Sequence, residues 1–162
     1  MNASKRLLII GGLALGIWAM GFGLYYAVFI EHQTLDQIGS SLTSGFTFAA
    51  QRHLPEAHAA LAASAQGTYV YVRQVDAHGH WIGLAMLLIV LGAAFDRVGF
   101  GERLRFILAL GLFVGAVTFP LGVLLETLSR GFGPKFLAIA GSALIILSLA
   151  GVAAGFARAS DP

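Results

Sequence analysis

Cysteine is absent from the 162-residue chain, and charge is scarce, with ten lysines and arginines and eight aspartates and glutamates. Without thiols there is no disulfide framework, no thiolate metal site, no iron–sulfur cluster and no CxxCH haem attachment. A soluble domain carries about 25% charged residues because its surface must face water; here the share is 11%, against 57% hydrophobic residues. That balance argues against a cytosolic enzyme, a nucleic-acid binder and a disordered tail, and it leaves lipid as the natural covering. The net charge of +2 is too small to imply an acidic partner. No P-loop, nucleophile elbow or HExxH occurs, and no carboxylate pair is placed for hydrolysis.

Long apolar runs take the place of polar surface. Four stretches, about 7–30, 77–95, 106–125 and 136–157, approach the ~20 residues needed to cross a hydrocarbon core. The first follows Lys5 and Arg6 but exceeds the roughly 7–15 apolar residues of a signal peptide, so it reads as an uncleaved anchor. The expected fold is all-α: an integral membrane four-helix bundle forming a single domain. Gly12 and Gly16, Gly111 and Gly115, and Gly151 and Gly155 lie at small-xxx-small spacing, which favours close helix packing in a bundle or homo-oligomer. Pro120 predicts a kink near Ala116–Pro120. With the N-terminus inside, Lys5, Arg6, Arg97, Arg103, Arg105 and Arg158 face the cytoplasm, and Arg52, Arg73, Arg130 and Lys135 face outward. This bias predicts a multi-pass protein of the bacterial inner membrane with both termini cytoplasmic.

Residues 31–76 then form an outward-facing connection. Leu35, Ile38, Leu42, Phe46 and Ala49 recur at helical spacing, and Pro55 with Glu56 fits the first turn of a second helix. The pattern predicts a helical hairpin joined near Arg52–Pro55, with the β-branched and aromatic run Thr68–Val72 as a candidate interruption.

All five histidines, His32, His53, His58, His78 and His80, fall between residues 32 and 80. Trp81–Phe95 supplies only 15 residues, ~22 Å of helix, so a span of ~30 Å recruits residues back to about Ala77. His78 and His80 are thereby drawn to the outer membrane edge, where Glu31, His32, Asp76 and Glu126 also come level. Ionisable groups at that depth are costly and usually mark function or pair with one another. Imidazole and carboxylate suit iron, copper or zinc, and histidines also ligate haem iron. The candidate metal ligands are Glu31, His32, Asp76, His78, His80 and Glu126, and the candidate haem ligands are His32, His78 and His80. On a continuous helix His78 and His80 point about 200° apart; a break at Gly79 would let both reach one ion. An unbroken helix instead places Asp76 and His80 on one face, where the carboxylate could orient the imidazole. His53 and His58, at the tip, read as solvated.

The run Asp76–Gly92, DAHGHWIGLAMLLIVLG, resembles short bacterial four-helix membrane proteins with H-x-H at the head of a transmembrane helix, some similar to fragments of haem-copper oxidase subunit I. Thr118–Glu126, TFPLGVLLE, fits the same style, and the resemblance covers about 50 residues. It implies haem or metal at His78 or His80. The chain lacks the twelve-helix core and later histidines of such oxidases, so oxygen reduction is not implied.

Two functions are expected from these features: a membrane metalloprotein with haem b or a redox metal at the outer end, or a non-catalytic accessory subunit of a larger membrane complex. A transporter is disfavoured, since the midplane offers only Thr118, Pro120, Ser142 and Ser148. The metalloprotein reading makes a specific prediction. His78→Ala and His80→Ala should each abolish cofactor content while His53→Ala retains it, by absorbance and elemental analysis. Equal content in all three variants contradicts the ligand assignment.

Overall fold

The structure is a computed structural model that describes residues 2–159. Its helices are α1 (Ala3–Phe29), α2 (Glu31–Ala50), α3 (Leu54–Ala94), α4 (Glu102–Leu125) and α5 (Phe132–Ala159), with a tight 3-10 turn at Phe95–Arg97. No strand occurs among the described residues. Four helices, α1, α3, α4 and α5, are long and apolar enough to cross a membrane.

The third helix organises the rest. Its 41 residues extend ~62 Å, about twice a ~30 Å hydrocarbon core. The interruption expected at Thr68–Val72 is absent. A β-branched residue lowers helix propensity by at most about 0.7 kcal/mol, and here the run is supported from both sides. Thr68 Oγ1 donates to the Ser64 carbonyl at 2.9 Å, and α2 packs antiparallel along the same half of α3.

Small residues let α2 approach. Gly45 accommodates Leu61, Gly67 accommodates Ile38, and Ser64 Oγ donates to the Ile38 carbonyl at 3.2 Å. The turn closing this hairpin is a Schellman motif: Arg52 N–H donates to Ala49 O at 3.0 Å and His53 N–H to Phe48 O at 2.9 Å. Its left-handed position is held by Arg52 at φ 61°, a conformation that glycine adopts without strain. Pro55 then occupies the first turn of α3, where its missing N–H costs nothing.

In the other half of α3, α1, α3 and α4 all contact one another, while α5 lies along α4 and touches the 95–97 turn. The four long helices are thus a trio with α5 on its flank, and glycine placement explains why. A Cβ on Gly141 of α5 would lie 2.5 Å from the Phe119 nitrogen, and one on Gly115 of α4 would lie 2.7 Å from the Gly141 carbonyl oxygen. Between α1 and α3, a Cβ on Gly12 would lie 3.0 Å from the Ala85 carbonyl oxygen. Gly16, its partner in the sequence pattern, has only an ordinary 3.7 Å approach to Ala85. The buried core includes Leu8, Trp81, Leu88, Phe95, Leu112 and Ala116, and α4 stays helical through Pro120.

Polar contacts gather at the end that carries the termini. Ser4 Oγ donates to Glu102 Oε1 at 3.0 Å, Lys5 Nζ to Asp96 Oδ2 at 2.6 Å, and Gly99 N–H to Gly155 O at 2.9 Å. The Lys5 ammonium holds the Asp96 carboxyl below its ordinary pKa. These contacts tie the start of α1, the α3–α4 connection and the end of α5 together.

The α4–α5 seam yields a stability prediction. Gly141→Val should destabilise the protein by roughly 1–3 kcal/mol, the usual range for overpacking, in thermal unfolding in detergent. Gly133→Val, where an added Cβ meets nothing within 4 Å, should leave the transition unlowered. Equal behaviour of the two variants would show that close α4–α5 contact is not stabilising.

Candidate functional site at the hairpin end

The candidate ligands lie near the junction of the hairpin with the helix trio, where α3 passes between α1, α2 and α4. They settle in separate places. Tyr71 Oη donates to Glu31 Oε1 at 3.3 Å, joining α3 to the start of α2. On another face of α3, Tyr69 Oη donates to Glu126 Oε2 at 3.1 Å and Arg73 Nε approaches the same oxygen at 3.3 Å. The Glu126 side chain is only 12% exposed, so its charge is matched where water is limited. Tyr69, and after it Glu126, outweigh partial burial and raise the pKa of Arg73.

His78 turns toward α1. Its Nδ1 lies 3.1 Å from the Ala19 carbonyl oxygen. A carbonyl can only accept, so Nδ1 is the donor in this contact. The imidazole sits in a notch made by Gly23, whose missing side chain leaves it room, and Phe22 flanks it at 6.4 Å between ring centroids. His80 faces α4, with its ring 4.8 Å from that of Phe119.

Because α3 continues through Gly79, the sequence alternative of a local break is removed. His78 and His80 face different helices, and one ion cannot take both from the same chain. Asp76 and His80 share a face at i,i+4, yet no hydrogen bond joins them among the described residues. His32 is exposed, and so are His53 and His58 at the hairpin tip. Among the described residues, no three histidine, aspartate or glutamate side chains gather to hold a metal ion.

Sequence reasoning singled out Glu126 but not the groups that hold it. Tyr69 and Arg73 stand four residues apart on α3, and Glu126 and Arg130 are four apart across the end of α4. The Tyr69–Arg73 spacing, i,i+4 within one helix, was the available signal; Glu126 and Arg130 lie beyond the last turn of α4, where that rule does not apply. Arg130 also stacks over Tyr69, with its guanidinium carbon 4.3 Å from the ring centroid, and donates to Gln66 Oε1. Within the run that had read as an interruption, Tyr69 therefore lies on the face where α3 receives the end of α4, and Tyr71 on the face toward α2.

Comparison with protein-family models, curated proteins and solved structures returns no match.

The seat of His78 can be tested directly. Gly23→Ala should push the imidazole off the Ala19 carbonyl and lower stability by roughly 1–3 kcal/mol, as other overpacking changes do, in detergent unfolding. Gly21→Ala, where an added Cβ meets nothing within 4 Å, is the reference. Unchanged stability in Gly23→Ala would mean the imidazole is not wedged there.

Proposed function

We propose that the chain is a non-catalytic accessory subunit of a larger membrane complex, inserted in the bacterial inner membrane with both termini cytoplasmic and the α2–α3 hairpin projecting outward. The observation that carries this reading is how the polar and apolar groups of the hairpin half are used. Glu31 and Glu126 are engaged by tyrosine and arginine side chains of the same chain. Meanwhile α2, which belongs to the extramembrane half, exposes Leu35, Leu42 and Phe46 along one stripe, with Phe46 65% exposed. Residues 7 and 11 apart return to nearly the same helical face. Apolar groups aligned outside a membrane are typical of a partner surface, where aromatic and aliphatic anchors dominate binding.

One observation favours the other reading, a haem b or transition-metal protein. His78 donates its Nδ1 proton to a main-chain carbonyl, the arrangement that orients many metal-ligating imidazoles. The residues around it offer a single imidazole and no set of three ligating side chains, so the accessory reading ranks first.

The test is purification of the full chain from its native membrane in mild detergent. The expected result is a complex holding other subunits in fixed proportion and showing no haem absorbance. Phe46→Glu and Leu42→Glu should release the chain as a folded monomer, while Ser44→Glu, on the opposite face of α2, should leave the complex intact. A monomeric wild type, or stoichiometric haem or metal lost in His78→Ala, would overturn the proposal.

A further inference from the structure

We infer that the cleft between α3, the end of α4 and the start of α5 is a binding site for the phosphate of an anionic phospholipid. The cleft measures about 420 Å³ and is bounded by Arg73, Arg130 and Lys135 around Glu126. Three cations therefore face one carboxylate, and that carboxylate is already engaged by Arg73 and Tyr69. Arg73 and Arg130 are held over the same Tyr69 ring, with guanidinium carbons 5.3 and 4.3 Å from its centroid. The ring attracts both cations but does not cancel their mutual repulsion. A phosphate entering between them would, and each guanidinium has five N–H donors of which only part is used here. Lys135 forms none of the ion pairs among the described residues.

The surroundings point to a lipid as the source of that phosphate. Ala138 and Ile139 line the cleft beside the cations, and they lie at the start of the fourth apolar run. Phe132 and Phe136 precede Ile139 at helical spacing, stack at 5.6 Å, and are 80% and 57% exposed. A charged rim thus opens onto an exposed aromatic and aliphatic strip, the division between headgroup and acyl chain found at a membrane interface. A free anion would have no use for the strip. This site is independent of the α2 surface invoked for complex assembly.

The experiment is native mass spectrometry of the full chain in neutral detergent, titrated with phosphatidylglycerol or with phosphatidylcholine. Phosphatidylglycerol should be retained and phosphatidylcholine should bind at least about fivefold more weakly; Lys135→Gln should weaken phosphatidylglycerol about fivefold and Arg130→Gln/Lys135→Gln roughly thirtyfold, from the usual worth of each basic residue near an anionic headgroup. Arg6→Gln/Arg158→Gln, at the opposite end, should bind as the wild type does, and all variants should keep wild-type helicity by circular dichroism. Equal retention of the two lipids, or undiminished phosphatidylglycerol binding by the folded double variant, overturns the site. Displacement of phosphatidylglycerol by an equal concentration of inorganic phosphate overturns the lipid assignment and makes the site one for a soluble anion.

Discussion

Close contact between helix backbones is the interaction on which the rest of the molecule depends. Where helices are surrounded by lipid, apolar side chains gain nothing by leaving one apolar surface for another, so association rests on packing and on occasional polar pairs. In this chain the packing is set by positions that lack a side chain. Gly115 and Gly141 bring α4 and α5 within reach of main-chain atoms, Gly12 and Gly92 do the same for α1 and α3, and Gly23 opens a seat for His78. A methyl group at Gly115 or Gly141 meets backbone, which has no rotamer to yield.

Polar pairs act at the two ends, where they locate helices already brought together. At the termini end Ser4, Lys5, Asp96 and Glu102 join α1 to the α3–α4 connection. At the hairpin end Tyr69, Arg73 and Glu126 join α3 to α4. Between them lies an almost purely apolar length. The length of α3 lets it serve two sets of partners: one half packs among α1 and α4, and the other half, with α2 along it, forms a helical hairpin. Leu35, Leu42 and Phe46 stay exposed on α2, and the cationic cleft beside α5 lies where that hairpin meets the apolar helices.

Much of the helix content was legible in residue order. The apolar runs beginning at Leu7, Ala77, Phe106 and Phe136 correspond to the four long helices, and Pro55 with Glu56 marked the start of α3. Thr68–Val72 misled because local β-propensity is worth a few tenths of a kcal/mol, less than continued hydrogen bonding and a packed α2 face. The metal-ligand cluster was inferred from level along the bundle axis alone. Level says nothing about azimuth, and it is azimuth that sends His78 toward Ala19, His80 toward Phe119 and Glu126 toward Arg73.

Composition and periodicity by themselves determined that this protein is helical, that four helices are long and apolar enough for a membrane, and where its few ionisable groups fall along them. Those are one-dimensional properties, set by how many apolar residues follow one another and by which residues interrupt them. Tertiary structure alone decided which helices touch, that α5 lies on the flank of a trio, and which acids and histidines find which partners. The physical reason is rotational. A helix repeats about every 3.6 residues, so two residues at one height can face opposite neighbours, and it takes the packed glycine seams and the polar pairs together to fix the rotation of each helix.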